Sequence, residues 1–305
     1  MPWKKGQRPR FIRESEATGA IAGVYQDIRQ TLGLPFVPAP FLVYAAVPKF
    51  LELHWAALRP LAQTPEFFAL AERIRGDGFT RAHSYFHVPD LCHKVEDLRF
   101  SSGARLELTD TIEVLHYKNP LMLLLLATQL QAFDRKVGDH AAYDRAARAG
   151  SEDHPRFTER PILIEEDRAP APTRKLYEDI KRTTSLPFVT TDYLAMARWP
   201  DFLAAYWQVM RPIVESPIYS ECCSAVRDTA WQMTRELPVA VELTCDQLTD
   251  AGMADEDVGI AVRITEMFVK NLGAMVLNIS TAKIGLEGGS TAEQHLTPEE
   301  LPIAA

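Results

Sequence analysis

Asp192 is the residue whose type and position most directly suggest chemistry in this sequence. It lies in the segment TTDYLAMARWP, and a similar segment lies 152 residues earlier in the chain. In that earlier segment the aligned residue is Pro40, so a shared fold would form without a carboxylate at this position. A carboxylate within hydrogen-bond reach of water can take a proton from it and so make it a nucleophile. Asp192 is therefore the first candidate for catalysis.

The chain repeats itself over most of its length. The stretch that begins at Tyr25 aligns without a gap with the stretch that begins at Tyr177, and both contain LPFV, a later tryptophan and an Arg-Pro pair. A period of this length is too long for a solenoid and suits two similar halves. We predict a first helical repeat, a charged connector, a second helical repeat and a disordered tail, at residues 1–133, 134–171, 172–287 and 288–305.

The apolar residues within each half recur at helical spacing. Pro48 precedes one apolar stripe and suits the first turn of a helix, and the longest periodic pattern runs from Asp255 to Leu286. Only residues 99–108 show a modest alternating pattern, as in a strand. We predict an all-α protein, with two pseudo-symmetric helical repeats packed as an intramolecular pseudo-dimer. Pockets form preferentially at interfaces of this kind.

The composition is that of a soluble globular protein. The chain has 305 residues, of which 47% are hydrophobic and 24% charged. A formal net charge of −8 argues against nucleic acid as a partner. The sequence shows neither a signal peptide nor a membrane-spanning run. Four cysteines without metal-ligand spacing suggest reduced thiols. We expect a cytoplasmic protein with a small-molecule substrate; a homodimer is left open.

Three segments resemble the group I 2-haloacid dehalogenases: TTDYLAMARWP, HYKNPLMLLLLA and the paired LPFV motifs. The resemblance covers residues from about Ser15 to Gly288. It implies a helical enzyme, without cofactor or metal, in which activated water displaces halide from the α-carbon of a short 2-halocarboxylic acid with inversion and gives a 2-hydroxy acid. It also implies that Asp192 activates the water, that Asn119 holds it, and that the site lies between the repeats.

The same resemblance implies a set of substrate-binding residues, some of which depart from the family pattern. A serine usual in the family is Thr191 here, and a usual tryptophan is Phe36. A small residue of the family is Pro38 here, a phenylalanine is Ala39 and a tyrosine is Met122. These changes reshape the pocket wall. The predicted substrate-binding residues are Thr191, Phe36, Pro38, Ala39, Met122 and Phe188. The methyl group of Ala39 favours bulkier substrates.

Several alternatives remain open at this point. Thr191-Asp192 after a turn also fits the start of a helix, and Asn119 before Pro120 fits a helix N-cap. The spacing of His83 and His87 would suit two ligands on one helix face, although a solvated helix end is favoured. Asp192 as a nucleophile that forms an ester is a second mechanism. A binding protein, or a family member without dehalogenase activity, is the alternative function.

Overall fold

The protein is described by a computed structural model over residues 11–93, 100–138 and 154–290. Helices dominate these ranges, where no strand forms and the β-structure is limited to two isolated bridges, Val88–Ser290 and Val137–Val241. The all-α prediction is confirmed. In chain order the helices are α1 Gly19–Leu32, α2 Ala39–Tyr44, α3 Pro48–Ala62, α4 Pro65–Tyr85, α5 Ser102–Ala132, α6 Ala171–Thr184, α7 Thr191–Met196, α8 Pro200–Val214, α9 Pro217–Met233, α10 Cys245–Asp250 and α11 Asp255–Leu286.

Prolines mark where several of these helices begin. Pro48, Pro65, Pro200 and Pro217 are each the first residue of a helix. This position suits proline because the N–H that it lacks would have no partner inside the helix, and its fixed φ is already helical. The prediction for Pro48 is confirmed, and so are the bounds of the long helix from Asp255 to Leu286. The strand suggested by the alternating pattern at 99–108 is wrong for the part that the structure describes, because α5 already begins at Ser102.

The contacts within the chain define two compact units. Unit 1 comprises Met1–Ile74, Tyr117–Arg160 and Arg227–Gly273, and unit 2 comprises Arg75–His116, Pro161–Val226 and Ala274–Ala305. Four of the boundaries fall within α4, α5, α9 and α11, and the fifth lies between Arg160 and Pro161, outside the helices. Each unit therefore draws on both predicted halves. The repeats and the compact units are different divisions of the chain, and the repeats remain a prediction from sequence.

A tryptophan–aspartate pair stabilises the core of each unit. In unit 1, Asp27 accepts hydrogen bonds of 2.6 Å from both the Trp55 indole and the Arg59 guanidinium. In unit 2, Trp207 donates to Asp179 over 2.8 Å, and Arg211 lies 3.6 Å from the same carboxylate. Each contact joins α1 to α3, or α6 to α8. These residues are scaffold, as their presence in both halves predicts.

The predicted tail is ordered at its start. Ser290 donates a 2.7 Å hydrogen bond from its hydroxyl to the carbonyl of Phe86, and its main-chain N–H donates to the carbonyl of Val88. The disordered tail expected from residue 288 therefore does not begin before residue 291, since two main-chain carbonyls hold Ser290 in place. The rest of the predicted tail lies outside the described residues. None of the described helices combines the length and the apolar character needed to cross a membrane.

Candidate active site

Asp192 is buried in unit 2, where it is the second residue of α7. Only 1% of its surface is exposed. A carboxylate is rarely buried to this extent in a protein, because removing its charge from water is costly. The helix start considered from sequence at Thr191-Asp192 is confirmed, since α7 begins at Thr191; its N-cap is Thr190, whose side chain makes no capping hydrogen bond. Asp192 therefore lies within the first turn and is not the cap.

The hydroxyl of Thr190 is a second buried polar group beside Asp192. Its oxygen is shielded from solvent and finds no hydrogen-bond partner among the described residues. An unsatisfied buried hydroxyl costs about 1–3 kcal/mol. The residue aligned with Thr190 in the first repeat is Pro38. Thr190 was not among the residues predicted from sequence, although it shows the same asymmetry between the repeats that identified Asp192.

Three tyrosine hydroxyls and one amide form a buried network within unit 2, and Tyr193 joins it to α7. Tyr206 donates a 2.6 Å hydrogen bond to the main-chain carbonyl of Asn278, and Tyr219 donates over 2.7 Å to its side-chain oxygen. The amide nitrogen of Asn278 donates over 3.2 Å to the hydroxyl of Tyr193, the residue after Asp192. We call these four residues the tyrosine–asparagine network. None of the four was among the site residues predicted from sequence.

The network is neutral at physiological pH. Burial raises the pKa of Tyr193, and the nearby Asp192 and Cys223 raise it further. The pKa of Tyr206 is raised well above its usual value by burial, with smaller contributions from Tyr193, Tyr219 and Asp192. The hydroxyls of Tyr193 and Tyr206 therefore keep their protons.

Asn119 is fully buried in unit 1, inside the long helix α5. The alternative that it caps a helix beginning at Pro120 is wrong, because α5 continues through that proline. Proline inside a helix removes the N–H that would bond to the carbonyl four residues earlier, here that of His116. The leucine-rich run from Leu121 to Ala127 is buried throughout and offsets this loss.

The other predicted site residues lie in short segments on either unit. In unit 1, Phe36 and Pro38 are buried just before α2, Ala39 begins that helix half-buried, and Met122 is buried one turn after Asn119. In unit 2, Phe188 and Thr191 are half-buried beside Asp192 in the sequence. The structure thus groups three predicted residues on unit 2 and five on unit 1. The pairing of Asp192 with Asn119 at one water molecule stays a prediction.

Residues 35–193 match the protein family described as halocarboxylic acid dehydrogenase DehI. This range is just over half of the chain and includes both Asn119 and Asp192. The chain belongs to the DehI family. The resemblance to 2-haloacid dehalogenases stated from sequence is thereby confirmed.

Relatives of this DehI family chain are named as dehalogenases. The (R)-2-haloacid dehalogenase of Pseudomonas putida is 24% identical over 276 residues, which cover 90% of this chain and 91% of the relative. That of Rhizobium sp. (strain NHG3) is 26% identical over 242 residues, with coverages of 79% and 92%. A configuration-inverting 2-haloacid dehalogenase of Pseudomonas sp. (strain 113) is 22% identical over 297 residues, with coverages of 95% and 95%.

Solved structures show that this family member has the D-2-haloacid dehalogenase fold. The complex of D-2-haloacid dehalogenase with L-LA superimposes with a TM-score of 0.83 at 24% identity, over 92% of this chain and 96% of the other. The complex of a D-2-haloacid dehalogenase mutant with D-2-CPA gives a TM-score of 0.81 at 23% identity, with the same coverages.

His116 is a packed histidine in this family member. Arg75 donates to its Nδ1 over 3.2 Å, and its Nε2 lies 3.2 Å from the hydroxyl of Ser280. Since that hydroxyl donates to the carbonyl of Val276, the proton of the ring is on Nε2. Burial lowers the pKa of His116 to about 3, and the charges of Arg75 and Lys283 contribute. The ring is therefore neutral at neutral pH.

The residue types that bind metals do not form a site in the described parts of the chain. No three His, Cys, Asp or Glu side chains lie close enough to hold a metal ion there. His83 and His87 do not share a helix, because α4 ends at Tyr85. The four cysteines form no disulfide with one another, and burial raises the pKa of Cys222 to about 11, so its thiol stays protonated.

Proposed function

We propose that this chain hydrolyses the carbon–halogen bond of short 2-halocarboxylic acids, with inversion at the α-carbon, and releases 2-hydroxy acids. The observation that carries the proposal is a buried carboxylate, Asp192, inside the range that matches the DehI family. The relatives that span nearly the whole chain are named as 2-haloacid dehalogenases, and two of them as configuration-inverting. The substrate class and the stereochemistry come from these names.

In the proposed reaction, Asp192 is the general base. Its carboxylate takes a proton from water while the water oxygen forms a bond to the α-carbon. The carbon–halogen bond breaks on the opposite face, and the electron pair leaves with the halide. The proton then passes from Asp192 to solvent. The amide of Asn119 holds the attacking water in line, and the buried position of Asn119 supports a fixed geometry.

The substrate is negatively charged, and its carboxylate needs hydrogen-bond donors in the site. We propose that the hydroxyl of Thr190 is one such donor, because it is buried beside Asp192 and finds no other partner among the described residues. The hydroxyl of Thr191 is a second. Phe36, Phe188 and Met122 supply apolar surface, and Pro38 and Ala39 shape the wall. The positive edges of the Phe36 and Phe188 rings would act as weak donors to the departing halide.

The finer architecture is also a proposal. Helices α1, α2, α3 and α4 begin 152 residues before α6, α7, α8 and α9. The contacts of Trp55 with Asp27 and of Trp207 with Asp179 are offset by the same number. These facts support two pseudo-symmetric helical repeats, at 1–133 and 172–287. The packing of the repeats as a pseudo-dimer and the assembly of two chains as a homodimer follow the resemblance only.

Halide release from chloro-, bromo- and fluoro-acids of increasing chain length tests the proposed activity. The wild-type protein should release halide from at least one 2-chloro or 2-bromo acid, and Asp192→Asn should abolish the release without a change in the thermal unfolding midpoint. Asp201→Asn is the matched control, since Asp201 is exposed on the next helix, and it should retain full activity. Silence of folded wild-type protein across the panel would instead favour a binding protein.

One turnover in heavy-oxygen water, with enzyme in excess, tests the role of Asp192. Direct attack by water places the label in the 2-hydroxy acid and leaves the protein unlabelled. If Asp192 were a nucleophile, the first product would carry an unlabelled oxygen from the carboxylate, and the label would enter the protein when water opens the ester. Mass spectrometry of the product and of the peptide containing Asp192 distinguishes the two routes.

A further inference from the structure

Helix α7, which carries Asp192, has little means of fixing its own position. It has only six residues and no side-chain cap, and a helix of this length is marginal without tertiary contacts. Its buried side chains pack within unit 2, where Tyr193 contacts the ring of Trp207, and two hydrogen bonds from other segments also hold it. The carbonyl of Leu194 accepts a 3.0 Å hydrogen bond from the N–H of Ile164, and the hydroxyl of Tyr193 accepts one from Asn278. The second contact lies directly beside Asp192 in the chain.

The tyrosine–asparagine network is not a requirement of the fold. At an offset of 152 residues, Tyr193, Tyr219 and Asn278 align with Phe41, Phe67 and Leu126, none of which has a polar side chain. All three apolar residues are buried, and α2 nevertheless has the same length as α7. The fourth member, Tyr206, aligns with His54, which is bonded to Gln129. The first repeat therefore builds the equivalent helices without this network.

Buried hydroxyls and amides contribute little net stability compared with apolar side chains of the same shape, even when they are fully hydrogen-bonded. Their value is directional, since a hydrogen bond fixes an orientation that an apolar contact leaves free. Here Tyr206 and Tyr219 fix both oxygens of Asn278. The amide N–H of Asn278 is then directed at a single acceptor, the hydroxyl of Tyr193. The second repeat has both this arrangement and the buried carboxylate of Asp192. The first repeat lacks the arrangement and has Pro40 in place of the carboxylate.

We propose that Asn278 is a positioning residue for the reaction, acting through Tyr193 to hold α7 and so aim the carboxylate of Asp192 at the attacking water. This inference rests on the proposed hydrolytic function. Asn278 lies in α11, 86 residues from Asp192 in the sequence, and acts on its orientation rather than on the substrate. In-line attack at a saturated carbon tolerates little misplacement of the base.

The test uses the residues of the first repeat as replacements. We would measure kcat and KM for halide release, and the thermal unfolding midpoint, for Tyr193→Phe and Asn278→Leu. Each variant should lower kcat about five- to tenfold, the effect of one lost hydrogen bond, and should leave KM within about twofold. The double variant should match Asn278→Leu, because that change already removes the hydrogen bond to Tyr193 as well as the one from Tyr219.

Tyr25→Phe is the matched control. Its hydroxyl donates a 2.8 Å hydrogen bond to the carbonyl of Ile12 in unit 1, so the change removes a comparable bond away from α7. This control should lose a similar amount of stability and keep its kcat. The positioning role is overturned if kcat of Tyr193→Phe and Asn278→Leu stays within twofold of wild type, or falls no further than in the control. Absence of halide release by the wild-type protein would instead refute the hydrolytic function itself.

Discussion

The indole nitrogen of Trp207 donates a 2.8 Å hydrogen bond to Oδ2 of Asp179. Residues 152 positions earlier, Trp55 and Asp27, form the same bond at 2.6 Å. Asp179 and Asp192 lie only 13 residues apart in the same unit, but they differ in kind. Asp179 has a counterpart in the other half, Asp27, which also accepts a hydrogen bond from a tryptophan. Asp192 has no such counterpart, because Pro40 stands at the aligned position. This difference separates a carboxylate that stabilises from one that we expect to catalyse.

Asp179→Asn should therefore destabilise the protein and leave its chemistry intact. The hydrogen bond from Trp207, and the nearby Arg211 and Arg182, lower the pKa of Asp179. A carboxyl group with a lowered pKa stabilises the folded state above its unfolded pKa, and this contribution is lost as the pH falls through the folded value. We expect a loss of about 1 kcal/mol at neutral pH, measured by urea unfolding. An inactive but folded variant would show that Asp179 has a catalytic role.

Thr190→Val should change stability and substrate binding in opposite directions. Valine has the shape of threonine without its hydroxyl, which is buried and finds no partner among the described residues. The free energy of unfolding should rise by about 1 kcal/mol, while KM for the 2-halo acid should rise about fivefold because a donor to the substrate is lost. Thr184→Val is the control, since the hydroxyl of Thr184 already bonds to the carbonyl of Ile180. An unchanged KM for Thr190→Val would exclude this hydroxyl from the site.

Ala39→Phe should shift the preference of the enzyme towards shorter substrates. Ala39 is half-buried at the start of α2, and a ring in place of its methyl group would fill space that longer acids use. Each methylene group buried by a substrate contributes about 0.8 kcal/mol, so kcat/KM should fall most for the longest acid. The measurement is kcat/KM across a chain-length series. A profile identical to that of the wild type would place residue 39 outside the pocket.

Two buried histidines should make the protein sensitive to mild acid. Burial lowers the pKa of His54 to about 4 and, with nearby cations, that of His116 to about 3, whereas both titrate near 6.5 when unfolded. Below pH 6.5 the unfolded chain therefore binds more protons than the folded one, and the free energy of unfolding falls with pH. The slope should approach about 1.4 kcal/mol per pH unit for each histidine.

Urea unfolding between pH 5 and 7 measures this slope. His54→Gln removes one of the two titrating groups, so its slope between pH 5 and 6 should be about half that of the wild type. Above pH 7 these histidines should cause no pH dependence of the free energy of unfolding in either protein. Equal slopes in the two proteins would mean that His54 does not resist protonation in the folded state.

The sequence by itself determined the elements that depend on local pattern. The 3–4 spacing of apolar residues gave the helical class and the bounds of α11, and the prolines marked where several helices begin. The offset of 152 residues identified Asp192, because a position that differs between two similar segments is visible without any coordinates. Residues such as Trp55 and Trp207 were recognised as scaffold by the same comparison.

Tertiary structure alone decided the features that depend on residues far apart in the chain. Asn119 does not cap a helix, because the buried leucines after Pro120 stabilise a continuous α5 against the local preference of proline. Asn278 meets Tyr193 across 85 residues, and nothing in either local sequence specifies that hydrogen bond. Local propensity acts over a few residues, whereas burial and hydrogen bonding between helices are set by how the whole chain packs. For this reason the sequence identified Asp192, and only the fold revealed the network that supports its helix.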